Sequence, residues 1–371
     1  MMPQSLRGGS ALQAAVGRFE PRTLVAAAVV VLLAIFLVTR VVSCATHHDS
    51  ASATSTGQAA TALVGKVSGT AFSSISETFS LDSVDFAAVA DAESPAMFTF
   101  ATSSETGEAA EAPTLFAKSE ASIKAALDSF AQDDASVGFI ALNCETGKGV
   151  AYNIDEVFYG ASSYKALYAA YVCQELVEGG IYSLGFPISS WQQTSSGFYQ
   201  SGSETIRDAI NDSIVWSDNA SFGSLRTAFD GSEYDAWLSR LGVSEGVEET
   251  DEGGWFPSYS ARAAAQLWLS VYRYLETNTE TAAWLGSLLE ETETSFLRDA
   301  LEDAGYEGAV VRSKAGWCAD PNPDYNSVCE GGVVSYEGAD YLICVMTNAA
   351  DSNAARANYE ALATAVFEAC R

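Results

Sequence analysis

The stretch FYGASSYKALYAAYVC, residues 158–173, places Ser162 and Lys165 three positions apart near the start of a segment that is apolar nearly all round. Such a segment predicts a buried helix, here from Ala161 to Glu178. Residues three apart on a helix share a face, so the hydroxyl and the amine would lie side by side. Burial depresses the pKa of a lysine and can make it a base for a serine. The stretch therefore predicts either a nucleophile with its base or an ordinary buried helix with two polar residues near its start.

Histidine is nearly missing from the sequence. Its 371 residues include two histidines, the adjacent His47 and His48, in a stretch rich in Ser, Thr and Ala. A Ser-His-Asp triad needs an imidazole inside the folded domain, and a zinc hydrolase normally needs a histidine ligand. A serine hydrolase built from this sequence would therefore use a lysine or a carboxylate as its base. Nothing in the sequence indicates a metal or an organic cofactor.

The chain is strongly acidic, with a formal net charge of -29. A surface of this sign repels phosphate backbones, so a nucleic acid is not expected as a partner. An acidic, soluble domain surface is the simplest explanation of the charge.

One apolar run near the N-terminus is long enough to cross a membrane. TLVAAAVVVLLAIFLVT, residues 23–39, is uncharged, and with the residues just beyond Arg40 it reaches the roughly 20 residues that a membrane-spanning helix needs. Three arginines precede the run and one closely follows it. The positive-inside rule then predicts a cytoplasmic N-terminus at 1–22, a transmembrane anchor at 23–43 and an extracytoplasmic remainder.

Two other interpretations of this segment stay open. A cleaved signal peptide is one, although the long leader and the missing A-x-A site favour an anchor. The sequence VVSC, ending at Cys44, also resembles a lipoprotein cleavage box. Each of the three places the bulk of the chain outside the membrane.

The rest of the chain divides by composition. Residues 44–114 are rich in Ser, Thr, Ala and acidic residues without a sustained period, which predicts a disordered stalk. From 115 to 371 a helix, two strands, a mostly helical stretch from 180 to 300, three strands and a last helix follow. Strands near both ends with helices between them predict an α+β domain with one antiparallel sheet, flanking helices and an inserted all-helical subdomain.

Two further motifs accompany the Ser162 motif. VWSDNASF contains Ser217, Asp218 and Asn219, 55 residues after Ser162, and VRSKAGW contains Lys314–Gly316, 97 residues after Ser217. Each motif alone is ordinary, since S-D-N suits a turn or an N-cap and a lone lysine on a strand is usually solvated. All three in this order, in a domain without histidine, indicate one site.

With S-x-x-K, S-D-N and K-x-G in this order, the chain resembles the penicillin-recognising serine hydrolases, and residues 115–371 look most like a class A β-lactamase. The resemblance implies a β-lactamase/transpeptidase-like fold and a monomer. It also implies a β-lactam or a peptidoglycan peptide as substrate. Together with the predicted anchor it implies a single-pass protein of the bacterial cell membrane.

The resemblance also implies catalytic roles. Ser162 would be the acylated nucleophile and Lys165 would activate it. Ser217 would pass a proton to the departing nitrogen, and Lys314 would hold Ser217 and the substrate carboxylate by its charge.

Three more residues would bind the substrate by the same resemblance. Asn219 would contact the amide side chain, and the N–H groups of Ser162 and Trp317 would form the oxyanion hole. Gly316 fits this arrangement because a substrate lying along the strand needs close backbone approach.

Two departures from the family pattern affect the expected activity. The middle position of the third motif is Ala315, so a hydroxyl for the substrate carboxylate is missing. The E-x-x-L-N string that carries the deacylating glutamate is also missing from GVEETDEGGWFPSYSARAAA, residues 246–265. Either an acidic residue of this region replaces it or the region is a solvated acidic loop. The acidic residues are Glu248, Glu249, Asp251 and Glu252.

Three functions remain open at this point. The first is a membrane-anchored β-lactamase, and the second is a D-alanyl-D-alanine carboxypeptidase or penicillin-binding hydrolase with slow deacylation. The third is a domain that binds peptidoglycan or antibiotic without catalysis. Of the seven cysteines, Cys318 and Cys329 flank a turn-rich loop between two strands, a position that would allow a cross-strand disulfide outside the cell, and the pairing of the cysteines is left open.

Overall fold

The computed structural model describes residues 77–371 except 105, 196, 244–245 and 249–254. Its strands are β1 (Glu77–Thr78), β2 (Ala96–Thr99), β3 (Thr102–Ser103), β4 (Val137–Asn143), β5 (Lys148–Tyr152), β6 (Val157–Tyr159), β7 (Pro187–Thr194), β8 (Gly197–Thr205), β9 (Val247–Glu248), β10 (Ser258–Ser260), β11 (Val310–Cys318), β12 (Ser327–Tyr336) and β13 (Ala339–Thr347). Its α-helices are α1 (Ala117–Gln132), α2 (Tyr164–Tyr171), α3 (Ile206–Val215), α4 (Asn219–Phe229), α5 (Ser232–Arg240), α6 (Ala261–Leu275), α7 (Glu280–Glu290), α8 (Phe296–Asp303) and α9 (Asn353–Cys370).

A six-stranded antiparallel sheet in the order β11-β12-β13-β4-β5-β2 forms the centre of the fold. Successive side chains of a strand point to opposite faces. Phe139 and Ala141 of β4 accordingly join a core with α1, α8 and α9, whereas Ile140 and Leu142 join a second core with α2 and α6. Because helices cover both faces, β4 is an uninterrupted buried run. Each fully buried aliphatic side chain of this kind stabilises the fold by roughly 2 kcal/mol. The predicted α+β fold with an antiparallel sheet flanked by helices is confirmed.

The sequence predicts an all-helical insertion between the two ends of the sheet, and this prediction is wrong. The insertion contains the antiparallel hairpin of β7 and β8, in addition to α2–α7. At the start of β7, Ile188 and Ser190 are buried and alternate with exposed neighbours, which is the period of a strand. Gly197 opens β8 with φ of 119°, a conformation that glycine adopts readily.

The folded part begins earlier than the predicted boundary at residue 115. β2 pairs with β5 at the edge of the sheet, with Met97 opposite Val150. Phe86 is fully buried and lies 5.7 Å from the ring of Phe100. The scattered phenylalanines of this stretch therefore belong to the core, although they follow no helical or strand period.

The predicted anchor at 23–43 and the predicted stalk up to residue 76 lie outside the described residues. Within the part of the chain that the structure describes, no helix is both long and apolar enough to span a membrane.

Cys318 and Cys329 are free thiols, so the cross-strand disulfide that the sequence left open is not formed. In the β11–β12 register Cys318 lies opposite Ser327, and Cys329 lies opposite Gly316. Cys329 is buried, and the N–H of Thr347 donates to its sulfur at 3.4 Å. Burial raises the pKa of this thiol to about 11.

Candidate active site

Ser162 lies in a tight turn between β6 and α2. The turn is a single 3₁₀ turn, Ala161–Ser163, and Ala161 has φ of 45°. A left-handed alanine costs of order 1–3 kcal/mol and persists only where its surroundings hold it. Here Ser163 holds it, because its hydroxyl donates to Gly160 O at 2.5 Å and also contacts the hydroxyl of Tyr259. Ser162 itself is left half-buried between two buried neighbours.

The predicted helix from Ala161 to Glu178 is confirmed as a helical segment, but it takes three forms. The 3₁₀ turn leads into α2, and a π-helical stretch, Val172–Val177, follows α2. The nucleophile candidate therefore precedes the α-helix, and Lys165 lies in its first turn.

Strand β11 packs directly on the Ser162 turn at Gly316. A Cβ added to Gly316 would lie 2.3 Å from Gly160 O, 2.5 Å from Ser163 N and 2.9 Å from Ser162 N. All three atoms are backbone, so only glycine fits. The predicted close approach at Gly316 is thus made by the protein itself, and it brings Trp317, the next residue of β11, beside the turn.

Lys165 joins the first motif to the second. Its side chain is fully buried, and Nζ donates to Ser217 O and to Asn219 Oδ1, both at 2.6 Å. The distance from Nζ to Ser217 Oγ is 3.4 Å. Ser217 holds φ of 56°, and the Asp218 carboxylate accepts from Ser221 N at 2.7 Å to cap α4. The left-handed serine and the cap together turn the chain so that Ser217 and Asn219 both face the amine.

The surroundings of Lys165 favour its neutral form. Burial, and then the charge of Lys314, lower the pKa of Lys165 well below its ordinary value, while Asp218 acts in the opposite direction. A neutral amine carries two hydrogens and one lone pair, and Nζ has three partners: Ser217 O and Asn219 Oδ1, which can only accept, and Ser217 Oγ, which can donate or accept.

Lys314 brings the third motif to the same place. It is fully buried on β11, and Nζ donates to Ala315 O at 3.2 Å and lies 5.6 Å from the centre of the Trp317 ring. Burial lowers the pKa of Lys314 to about 8, and the charge of Glu330 counteracts part of that effect. The positive charge of Lys314 disfavours a second positive charge on Lys165, so the protonation of one lysine affects the pKa of the other.

Two predicted contacts are not made. Within the described residues, no hydrogen bond joins Lys165 to Ser162 and none joins Lys314 to Ser217. Catalytic hydrogen bonds often form only once substrate is bound, so these serines remain candidates.

The comparisons with known proteins agree with this geometry. A model of the beta-lactamase enzyme family matches residues 118–370. The chain belongs to this family. It is a β-lactamase-like serine hydrolase, and the predicted membership of the penicillin-recognising serine hydrolases is confirmed.

Solved structures show the same fold at low sequence identity. A β-lactamase from Chitinophaga pinensis is 19% identical, with a TM-score of 0.55 over 67% of this chain and 98% of that one. PBP-A is 16% identical, with a TM-score of 0.56 over 67% of this chain and 95% of that one. A β-lactamase from Sphaerobacter thermophilus is 17% identical, with a TM-score of 0.56 over 67% and 96%. No curated protein matches the chain.

Aromatic residues that the sequence analysis did not single out complete this β-lactamase-like site. The rings of Phe222 and Phe256 lie 5.9 Å and 5.5 Å from Lys165 Nζ. Trp216, next to Ser217, is 61% exposed. Phe222 lies three residues beyond the S-D-N motif, and Phe256 lies in the region that lacks E-x-x-L-N. Their closeness to these two regions in the sequence was the signal that could have identified them as site residues.

The acidic residues considered for deacylation are not placed. Glu249, Asp251 and Glu252 lie outside the described residues, and only the backbone of Glu248 is described, in β9. Their role stays a prediction.

Proposed function

We propose that this serine hydrolase is acylated at Ser162 by β-lactams or by peptidoglycan peptides, and that release of the acyl group limits its turnover. One observation carries the acylation half. Lys165 is buried, and its lowered pKa favours the neutral amine. Two short hydrogen bonds fix it beside the turn that contains Ser162. A lysine in that state is the base that a chain without a core histidine needs.

Acylation begins with attack of Ser162 Oγ on the amide carbonyl. The serine proton passes to the lone pair of Lys165. The carbonyl oxygen becomes an oxyanion, which the N–H groups of Ser162 and Trp317 stabilise by hydrogen bonds. Support for this pairing comes from Gly316, whose contact with the Ser162 turn holds the two backbone segments together.

Collapse of the tetrahedral intermediate breaks the carbon–nitrogen bond. The departing nitrogen needs a proton, and Ser217 Oγ lies 3.4 Å from Lys165 Nζ, where it can hand its own proton to the nitrogen and take one from the lysine. Ser162 is then an ester and Lys165 is neutral again, so atoms and charges balance.

The substrate carboxylate is recognised mainly by charge. Lys314 supplies an ammonium beside the strand, while Ala315 offers no hydroxyl. Asn219 is shared between Lys165, which it binds at 2.6 Å, and the substrate amide that we assign to it. The similar structures include a PBP-A variant solved as an acyl-enzyme complex with penicillin G, 17% identical to this chain.

Slow release of the acyl group is supported by the missing E-x-x-L-N string and by the described groups around Lys165. Deacylation needs a base that activates water. Among the described residues, the side-chain partners of Lys165 are Ser217 and Asn219, and the aromatic rings of Phe222 and Phe256 occupy two further sides. No described carboxylate forms a hydrogen bond with Lys165. This arrangement favours an acyl-enzyme that persists, as in a penicillin-binding hydrolase or carboxypeptidase.

A β-lactamase with rapid turnover is the second candidate. Glu249, Asp251 and Glu252 lie only a few positions before Phe256 in the sequence, and the ring of Phe256 lies 5.5 Å from Lys165 Nζ. A carboxylate from this segment would supply the missing base.

We further propose that residues 23–43 anchor a monomeric protein in the bacterial cell membrane, with its catalytic domain outside. The apolar run and the arginines that precede it support this placement. Cell fractionation should find the protein in membranes, and should find it soluble when 23–43 are deleted.

Intact-mass spectrometry of the full chain with penicillin G tests the main proposal. We expect an adduct with the mass of one penicillin that persists for minutes and is missing from Ser162→Ala. Steady accumulation of ring-opened product without a lasting adduct would favour the second candidate. If neither an adduct nor a ring-opened product formed, acylation itself would be contradicted.

A further inference from the structure

Trp255 lies directly before Phe256 and packs on α4, the helix that begins at Asn219. The contact is made at Gly223, where an added Cβ would lie 2.4, 2.5 and 2.6 Å from three atoms of the indole ring. A side chain at this position would therefore displace the ring. Glycine weakens the interior of a helix, so the close approach of Trp255 explains why α4 has a glycine there.

Two rings of the β7–β8 hairpin also pack on the indole. The rings of Trp191 on β7 and Phe198 on β8 lie 5.3 Å and 5.2 Å from that of Trp255, both edge-to-face. Trp191 is itself attached to α4, because its backbone N–H donates to Ser224 Oγ at 2.9 Å and its indole N–H donates to Thr227 Oγ1 at 3.0 Å. Helix α4 and the hairpin thus hold the indole together.

The backbone of Trp255 is held by a buried arginine of the same helix. Arg226 is 2% exposed, and its Nη1 donates to Trp255 O at 2.9 Å. Its Nε donates to Asp230 Oδ1 at 2.8 Å, and the hydroxyl of Tyr168 donates to the same oxygen at 2.7 Å. Because the guanidinium is planar and rigid, this pairing keeps its other donor directed at the carbonyl. Trp255 is therefore fixed both by its ring and by its backbone.

Phe256 connects this fixed residue to the amine. The ring of Phe256 lies 5.3 Å from the ring of Phe222 on α4 and 5.5 Å from Lys165 Nζ. Lys165 is fully buried and Phe256 is half-buried, so the ring forms part of the cover that separates the amine from water. Because residues 255 and 256 are adjacent, a displacement of the indole would also move this cover.

We propose that Trp255 is a positioning residue, which holds Phe256 over Lys165 and so keeps water away from the amine. This inference rests on the proposed function, in which the neutral amine takes the proton of Ser162. The packing on Gly223 and the hairpin and the bond to the carbonyl act on Trp255 alone, so its influence reaches the reaction through Phe256.

Water that reached the amine would stabilise its charged form. Burial is the largest cause that lowers the pKa of Lys165, and the charge of Lys314 on β11 is the second, while Asp218 before α4 acts in the opposite direction. These two are the charged groups that face Lys165 among the described residues, and the substitutions below alter neither. Loss of Trp255 should therefore raise the pKa of Lys165 by reducing its burial.

The pH–rate profile of acylation reports this effect. Below the midpoint of Lys165, a rise of about one unit in its pKa lowers the neutral fraction about tenfold. We expect Trp255→Ala to lose about tenfold in the rate of acylation by penicillin G at the acidic end of the profile, and much less above the midpoint. Trp255→Phe keeps an aromatic ring at this position and should lie between Trp255→Ala and the unaltered protein.

Two variants of the full chain separate this effect from general damage to the fold. Gly223→Ala keeps the indole but displaces it, and alanine favours a helix, so we expect the same shift of the profile. Trp284→Ala removes a half-buried tryptophan of α7, whose ring lies 4.7 Å from the guanidinium of Arg207, and should leave the profile unchanged.

Carbon-13 NMR of labelled lysine gives a second readout. The chain has six lysines, so the Lys165 signal can be assigned by comparison with Lys165→Arg. Its titration midpoint should rise in Trp255→Ala and in Gly223→Ala. An unchanged midpoint in either folded variant would overturn the proposal, as would a loss of acylation that is equal at every pH.

If Trp255→Ala does not fold, Gly223→Ala and Trp255→Phe decide by the same two criteria. If the unaltered protein is not acylated, the proposed function fails, whereas the NMR titration still tests whether Trp255 keeps water from the amine.

Discussion

Gly316→Ala should damage the site without removing any functional group. The new Cβ would lie 2.3 Å from Gly160 O, whereas ordinary contact begins at 3.4 Å, so the Ser162 turn or β11 must move by about 1 Å. Overpacking of this kind costs about 1–3 kcal/mol of stability. A displacement of about 1 Å at reacting groups can lower a rate by about 100-fold. We therefore expect a lower melting temperature and a second-order rate of acylation by penicillin G reduced by about two orders of magnitude.

The assay is intact-mass spectrometry over time at several penicillin concentrations, with thermal unfolding measured on the same samples. Gly308→Ala is the matched control, because a Cβ at that glycine meets nothing within 4 Å. It should acylate and unfold as the unaltered protein does. If Gly316→Ala also behaved like the unaltered protein, the close packing of β11 on the Ser162 turn would not control the reaction.

Three further predictions concern the groups around the amine. Lys165→Met should slow acylation by about 10²–10⁴-fold, measured by adduct formation, because it removes the base; a rate equal to that of the unaltered protein would exclude this role. The acylation rate should rise with pH as Lys165 loses its proton at its depressed pKa and fall again above about pH 8 as Lys314 loses its own. A pH–rate profile without the alkaline fall would show that the charge of Lys314 is not needed. Phe256→Glu should shorten the lifetime of the acyl-enzyme by about a hundredfold, because it places a carboxylate near Lys165, whereas the neutral Phe256→Gln should not.

The motifs were visible in the sequence because each is local. Ser162 and Lys165 are held by one helical segment, and Ser217 and Asn219 by one turn and cap. Their order along the chain indicated one site, and the lack of a histidine in the predicted domain excluded a Ser-His-Asp triad and left a lysine or a carboxylate as the base. The strands of the sheet could be predicted because β4 and β13 are long buried runs.

Features that depend on distant contacts were harder to predict. β2 is held by pairing with β5, and Phe86 by a core formed elsewhere in the chain, so neither leaves a local period. The hairpin of β7 and β8 is polar and largely exposed, which conceals its strand pattern.

The register between β11 and β12 could not be predicted from the sequence either. It places Cys318 opposite Ser327 and Cys329 opposite Gly316, so the two cysteines do not face each other.

The location of the acyl group tests the central claim most directly. Tandem mass spectrometry of peptides from the penicillin-treated chain should place the whole modification on Ser162, with none on Ser163 or Ser217. A modification on another residue, or one that survives in Ser162→Ala, would contradict the assignment of Ser162 as the nucleophile.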